Sequence, residues 1–570
     1  MTAAGPEDVP VVIIGGGPTG LSLSILLSRY GIRSVLAERH PSTTDHPRAH
    51  VVNTRTMELF RHWSVVDDVL ERSLPLDQAS RIVWHTTLAG EELGEIDLSS
   101  DSSRIAARLE ASPVFTVSCP QDQVEPVLAD RARAMASATG AEVLFSTTAQ
   151  LVLGNSGAFE VVTSGPDTQD RHFRPAYVVA ADGASSPIRD QLGITMAGHG
   201  TLGHHLNAYF TADLSPWIGD RGGLLHWIIR SDLSGVFVAL DGKTRWSFNS
   251  SYEPEREPVE SFTAERCADR IRMAVGDPTV EVDVLSIRPW AMTANVAATY
   301  RTANVFLAGD AAHTFPPTGG LGMNTGIQDA HNLAWKLASV LGGQASPQLL
   351  DTYEEERRPV AVSNSDYSVV NAIGASSTGI GPTAPDVATK LAAGGSVAKE
   401  ERDRLTGAIA EQRQHFDFLG QDLGVSYEEG ALIQDGTPAA GSAGPRFVPS
   451  ARPGCRVPHL WLFGPDGPAS TIDLVESQFT VLVPPTARGW ISQVERDELP
   501  VPVRLVTIAA GSNGGAEYVD GSGTFPTAFG TGPEGAVLAR PDGHVAWRCE
   551  HGPGEGTLTL ADVLSALLSR

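Results

Sequence analysis

The chain has 570 residues, 41% of them hydrophobic and 19% charged, with a formal net charge of −25. That length exceeds one ordinary core, so two or three globular domains are expected, and so negative a surface argues against non-specific binding to nucleic-acid phosphate. No run of about 18 apolar residues is present, so no transmembrane helix is expected, and the opening MTAAGPEDVP lacks the basic and apolar regions of a signal peptide.

The first pattern is Val11–Ile14, a continuous apolar run suited to a strand buried on both faces. Gly15, Gly17 and Gly20 follow as GxGxxG, with Pro18 and Thr19 inside it. In such a loop the first glycine permits the turn, the second admits a pyrophosphate and the third lets the next helix pack close. Leu21–Tyr30 reads as that helix, its N-terminus aimed at phosphate. A second strand, Ser34–Ala37, ends at Glu38, placed to bond a ribose hydroxyl. NAD and FAD both use this arrangement, and the motif alone does not choose.

Tyr177–Ala181 repeats the buried-strand pattern and leads into Asp182-Gly183 and Arg189. Between about 190 and 285 the pattern changes. Asn207–Ala212, Gly223–Ile229, Gly235–Leu240 and Arg245–Ser250 read as short strands bounded by turn residues, an antiparallel sheet inserted in the nucleotide domain. Val305–Ala308 is again a buried strand, ending at Gly309-Asp310, where an open α/β sheet binds ligands. Asp310 there can accept hydrogen bonds from a polyol, or merely cap the next turn. Pro316-Pro317 then forms a rigid wall, and Gly319-Gly320-Leu321-Gly322 lets backbone amides approach a flat ring. A helix beginning near Leu321 or Gly322 points its positive end at that ring and favours a reduced, anionic flavin. Asn324 can add a side-chain amide.

Downstream, Leu349–Asp366 reads as a helix with a kink at Pro359, and its YEEERRP cluster as a solvated face. Gly374–Val397 and Thr437–Gly444 read as flexible connections. The last apolar segments are Leu460–Leu462, Phe479–Val483, Val503–Ile508 and Gly535–Ala539, with a closing helix at Asp562–Leu568. Cys119, Cys267, Cys455 and Cys549 lie far apart without a CxxC pair, which fits a reducing cytoplasm and offers neither a structural zinc nor a dithiol centre.

GGGPTG at 15–20, AADGASSPIR at 180–189, FLAGDAAHTFPP at 306–317 and GLGMNTGIQDAHNLAWKL at 320–337 together resemble class A flavoprotein aromatic hydroxylases. Within them the chain is most similar to the phenol hydroxylase, dichlorophenol hydroxylase and polyketide hydroxylase branch. The resemblance implies an α/β fold: a Rossmann-like FAD-binding domain, an inserted antiparallel-sheet substrate domain and a C-terminal thioredoxin-like domain without CxxC. The spans expected are 1–190 (with a substrate-domain excursion near 78–110), 191–285, 286–400 and 440–570.

The resemblance also implies FAD held by Gly15, Gly17, Pro18, Thr19, Gly20, Glu38 and Arg39, with Arg48 near the pyrophosphate and Gln121 on the polyol. Asp182 belongs to its DG motif, Gly309 and Asp310 to its GD motif. Pro317, Gly320, Leu321, Gly322, Met323 and Asn324 fall at the flavin ring, where Pro317 and Asn324 would serve catalysis. Trp227, Phe237, Trp246, Trp290 and Met292 are candidates for the substrate pocket, against the plainer reading of core aromatics. His50 falls where phenol hydroxylase carries an acid, so it reads either as a base for the phenol or as a local hydrogen-bonding residue.

Only the GxGxxG at 15–20 is followed by a strand ending in an acid, with no second nucleotide-binding βαβ unit, so NAD(P)H is expected as a transient co-substrate. Oxygen transfer would then pass through a flavin C4a-hydroperoxide, with an aromatic substrate, O2 and NAD(P)H as partners and a monomer or homodimer as the assembly. A Baeyer–Villiger oxygenase, a drug-inactivating monooxygenase and a non-enzymatic flavin sensor are the competing readings. A halogenase is disfavoured because no WxWxIP segment occurs.

Overall fold

The computed structural model describes every residue except 1–4, 154–158, 167–168, 220–221, 440–445, 512–513, 555 and 570. Most of the Thr437–Gly444 segment therefore lies outside the described residues. Among the described residues no helix is long and apolar enough to cross a membrane.

The apolar strand Glu7–Ile14 lies at the centre of the first sheet, between Ser34–Ala37 on one side and Arg171–Ala180 on the other, all parallel. Val305–Leu307 pairs in parallel with Arg171–Ala180. Registers align Ala37, Ile14, Ala180 and Leu307 in one row across four strands. Segments as far apart in the chain as Gly15 and Asp310 therefore deliver Glu38, Gly15, Asp182 and Asp310 to one sheet edge, the carboxyl ends of the strands. Pro18–Arg29, Gln121–Thr139 and Leu321–Leu341 are the helices that cover this sheet, with Leu21, Leu23, Leu128, Ile327 and Leu333 in a common core.

The second sheet has eight strands. In order these are His313–Thr314, Asp283–Ala297, Met196–Thr211, Arg245–Ser251, Ser234–Ala239, Leu225–Ile229, Arg81–His85 and Glu92–Asp97. The strand expected to close this domain near 285 runs on to Ala297, because the Met196–Thr211 strand pairs with it along its whole length. The last strand therefore enters the nucleotide domain directly beside the Pro316–Gly322 loop, pairing with His313–Thr314. The two strands at 81–97 supply the early excursion.

Two sequence expectations give way here. The Gly/Ala/Ser/Thr-rich stretch 374–397 is largely helical: Thr352–Ser376 extends through Pro359, and Ala384–Ala392 and Gly395–Glu411 follow. The stretch packs rather than flexes: its Ala375, Ala384, Val387 and Leu391, with Leu405 and Ile409 of the following helix, close over Ile82 and Trp84.

The C-terminal sheet is built on a parallel pair, Phe479–Val483 and Val503–Ala510, joined through the Arg488–Arg496 helix. Ala536–Ala539 and Val545–Cys549 add on antiparallel, and Leu560–Leu568 closes over Trp490. A βαβ unit followed by ββα in this order is the thioredoxin arrangement. The domain packs on the Leu321–Leu341 helix, where Trp335 meets Phe479 with ring centroids 5.8 Å apart.

Candidate active site

At the sheet edge the glycines divide by what surrounds them. Gly15 has φ +112°, and a Cβ there would lie 2.2 Å from the Ala181 carbonyl oxygen. A Cβ on Gly20 would lie 2.0 Å from the Gly15 oxygen. These two are required by packing. A Cβ on Gly17, Gly183 or Gly322 would meet no protein atom within 4 Å. Their bare backbone faces the cleft, as close approach of a pyrophosphate and a ring demands. Thr19 fits against Gly309 and Gly326, joining the first motif to the third, and Pro18 opens its helix. Both oxygens of Glu38 are fixed, one accepting from Gly16 N (2.7 Å) and the other from His40 N (2.8 Å). Arg39 is exposed, its Nε 3.3 Å from His40 Nε2.

Three polar groups along the cleft are left for a ligand. Asp182 Oδ2 accepts from Ile188 N (3.3 Å), whereas its Oδ1 is buried with no partner, and burial raises its carboxyl above the usual range. Asp310 is open to the cleft yet ringed by protein, so desolvation raises its carboxyl despite the opposing influence of His313 and Arg48. Neither Asp310 nor the exposed Arg48 makes a side-chain hydrogen bond or ion pair with another described residue. Burial raises the Glu125 carboxyl, with Arg48 among the groups that oppose the rise, so the Arg48 charge is felt both at Asp310 and on the helix that starts at Gln121. Gln121 donates to Glu125 Oε1 (2.6 Å) and, through its backbone N, to Ala49 O (2.8 Å), which anchors the Arg48 loop.

The ring-binding loop follows. Pro316 is buried and Pro317 exposed, its carbonyl accepting from Gly320 N at 3.0 Å. Gly320 has φ +64° and abuts Val51, so the loop cannot carry a side chain there. Gly320 caps the Leu321–Leu341 helix without a side-chain acceptor, which leaves the first N–H groups free to face the cleft. Leu321 and Met323 are buried beneath them.

The Asn324 side chain is engaged by the protein. Its Oδ1 accepts from Asn53 N (3.0 Å) and its Nδ2 donates to Val51 O (2.9 Å) and Gly320 O (2.6 Å). The carboxamide is fully used as a clamp between two loops. His50 likewise has a local partner, its Nδ1 3.1 Å from Ser118 Oγ, and burial lowers its imidazole to about 4. This geometry supports local bonding rather than a base for the phenol.

The second sheet has two unlike faces. Leu206, Ala208, Phe210, Phe237, Trp246 and Phe248 point away from the nucleotide domain into a core sealed by the Ala264–Val275 helix. Phe237 lies 4.6 Å from Phe248 and 6.2 Å from Phe210, centroid to centroid. Phe237 and Trp246 are therefore core residues, on the opposite face from any substrate over the flavin loop. Alternation puts Trp227, Val236, Asn249, Asn207 and Arg288 in one cross-strand row on the near face. Asn207 Nδ2 donates to Pro47 O (3.4 Å) and Ser286 Oγ bonds His46 Nδ1 (2.6 Å), so this face looks onto the Arg48 loop. Trp290 shares the near face, and Met292 pairs with Gly203 close to the flavin loop.

Sequence reasoning missed a buried charge network behind the site. Glu356 and Arg357 of the YEEERRP cluster are 1% exposed rather than solvated. Glu356 takes Lys336 Nζ (2.9 Å) and both terminal nitrogens of Arg540 (2.7 and 2.9 Å). Arg540 also pairs with Asp542, and Arg357 Nε donates to Asp329 (2.7 Å). Asp329 Oδ2 in turn holds Gly309 N (3.2 Å) and His313 Nε2 (2.7 Å), so His313 supports the GD turn from beneath. Tyr353, Glu356, Arg357 and Val360 share the inward helical stripe while Glu355 and Pro359 face out. The partner Arg540 lies 184 residues away, so the local pattern gave no sign of it.

An edge of carboxylates and bare glycines beneath a second, inward-looking sheet defines a dinucleotide-dependent flavoprotein with a separate substrate wall. The FAD binding domain family matches residues 8–368 and the aromatic-ring hydroxylase C-terminal family matches 450–570. The chain is 35% identical to the tetracenomycin A2 monooxygenase-dioxygenase of Streptomyces glaucescens over 99% of this chain and 97% of that protein. Among solved structures it is similar to the flavin-dependent monooxygenase PieE in complex with FAD and substrate (TM-score 0.89, 32% identity, 99% of both chains). It is also similar to aklavinone-11 hydroxylase in a ternary complex with FAD and aklavinone (TM-score 0.82, 31% identity, all of both chains). The chain belongs to the FAD-dependent aromatic-ring monooxygenases.

Proposed function

We propose that this monooxygenase hydroxylates a phenolic ring of a polycyclic, polyketide-type substrate, with NAD(P)H and O2 as co-substrates. The carrying observation is the near face of the second sheet. From Trp227, packed against the helix-covered cluster of Ile82 and Trp84 at the closed end, to Asn249, Asn207, Arg288 and the half-buried Trp290 at the other, it offers an aromatic wall for fused rings and amides for their oxygens. The relatives named above, a tetracenomycin A2 monooxygenase-dioxygenase and a hydroxylase with bound aklavinone, support the same class.

FAD, when bound, supplies the reduction and oxygen-activation chemistry. The chain's own residues hold and orient it: Glu38 at the adenosine ribose, Arg48 at the pyrophosphate, Asp310 at the ribitol, and the Gly320–Gly322 amides at the ring. The positive helix end at Leu321 favours negative charge beside it. Pro316 and Pro317 wall one side, and the near face closes the other and excludes water.

The test is NAD(P)H consumption by the FAD-loaded protein with phenols, hydroxynaphthoquinones, hydroxyanthraquinones and cyclic ketones, with products analysed by mass spectrometry. A product heavier by one oxygen, with its rings intact and a new exchangeable hydroxyl, is the expected result. A lactone from a ketone would replace hydroxylation by Baeyer–Villiger chemistry.

A further inference from the structure

One aromatic pair on the near face makes no side-chain hydrogen bond or ion pair among the described residues. His205 and Trp290 are direct cross-strand partners on Met196–Thr211 and Asp283–Ala297. Their rings stack with centroids 4.7 Å apart and planes 20° from parallel. Both are half-buried. Neither ring nitrogen of His205 has a hydrogen-bond partner among the described residues, and no carboxylate pairs with it. Its neighbours across the strands, Ser251 and Trp290, are uncharged, and His204 beside it turns instead to Tyr252. Burial, with a lesser contribution from His204, lowers the imidazole to about 4, so at neutral pH the ring is uncharged and offers a lone pair.

The position of the pair is bracketed from two sides. Thr293 Oγ1 donates to Thr314 Oγ1 (2.9 Å), which ties this strand to the segment entering Pro316-Pro317. Trp290 lies three residues back, roughly 10 Å along a strand, about the width of a small fused-ring system. Two residues further on, Arg288 faces Asn207 and the Arg48 loop. The pair thus stands between the flavin loop and the far wall of the cleft. Register shifts between Gly198 and Gly200 and between Thr201 and Gly203 immediately precede it. Bulges of this kind turn a strand and re-aim the side chains that follow.

We propose that His205 and Trp290 form the element that recognises the substrate's phenol: the indole fixes the imidazole plane, and an imidazole nitrogen accepts the hydrogen bond of the phenolic hydroxyl. This rests on the assignment of the cleft to an aromatic substrate. A site built around an unpaired acceptor discriminates against an analogue that lacks the donor, because the acceptor is then buried without a partner.

The test compares binding of 2-hydroxyanthraquinone and anthraquinone to the FAD-loaded protein by difference spectroscopy. The wild type should prefer the phenol by about tenfold or more. His205→Phe keeps an aromatic ring against Trp290 and should bind the two within about threefold, and His205→Gln, which restores an acceptor oxygen, should recover part of the preference. A preference undiminished in His205→Phe, or absent from the wild type, overturns the proposal. Product analysis separates this from the functional reading. Preference without oxygenated product defeats the hydroxylase assignment alone, and hydroxylation without preference defeats the role of the pair alone.

Discussion

Replacing Arg540 by methionine tests whether the C-terminal domain is locked to the nucleotide domain by charge. The guanidinium is 0% exposed and lies between Glu356 and Asp542. Two unit charges about 4 Å apart interact by roughly 4 kcal/mol at an effective dielectric of about 20. Methionine would fill much of the volume but leave two buried carboxylates. Lys336 still meets Glu356 at 2.9 Å, and Trp335 Nε1 still donates to Asp542 at 3.2 Å, so the loss is partial. Breaking a buried pair on one side costs about 3–5 kcal/mol, and 4 kcal/mol corresponds to a fall in Tm of roughly 8 °C for a large domain. Differential scanning fluorimetry of the FAD-loaded protein measures it. Lys399→Met, which breaks an exposed pair with Asp403, is the control, expected to change stability by less than about 0.5 kcal/mol. If Arg540→Met melts within about 2 °C of the wild type, the network carries no net load and the argument from burial is wrong.

Other expectations follow from the same geometry. Arg48→Met should weaken FAD binding by about 10–100-fold with an unchanged melting curve of the FAD-free protein, since the Arg48 side chain makes no hydrogen bond or ion pair among the described residues; fluorescence titration with FAD measures this, and a lowered Tm would contradict it. Gly17→Ala should fold normally but take up FAD poorly, whereas Gly20→Ala should also lower expression and Tm, because only the second Cβ meets backbone. Phe237→Ala should destabilise by about 3–5 kcal/mol and leave the choice among substrates unaltered, as read from urea unfolding and product ratios. The pH dependence comes from Glu58 and Glu356. Burial pushes both carboxyls up, but Arg456 and Arg55 for the first, and Arg540 and Lys336 for the second, override it and hold them at about 2. A depressed carboxyl stabilises above its unfolded value near 4.5 and loses that contribution as pH falls toward 2. Each represents on the order of 3 kcal/mol, so the urea midpoint should drop steeply between pH 4.5 and 2, and less steeply in Glu58→Gln.

How much of this was legible in the sequence depends on the range over which each feature is encoded. The GxGxxG turn, Glu38 and the Pro-Pro-Gly-Gly loop were legible because each is a short sequence pattern, although only the demand at Gly20, against the Gly15 carbonyl, is itself local, while Gly15 is held by Ala181 and Gly320 by Val51. Strand existence in the second sheet was also local, since period-two patterning marks it. Which face looks inward was not. Phe237, Trp246 and Trp227 carry similar patterns, and only the placement of the Ala264–Val275 helix on one side makes the first two core and leaves the third on the near face. Asn324 misled for a related reason. A carboxamide beside a flavin loop invites a ligand role, but Val51 and Asn53 arrive from 270 residues earlier and consume its donors and acceptor. The same holds for Glu356 and Arg357, whose charges looked solvent-facing until Arg540 and Asp329 supplied counterions from elsewhere in the chain. Charge and polarity in a sequence tell that a partner is required, and tertiary structure decides whether that partner is water, ligand or protein. At Arg48, Asp310 and His205, where no hydrogen-bond or ion-pair partner arrives among the described residues, the requirement is open to a ligand, which is why the proposals for cofactor and substrate rest on those positions.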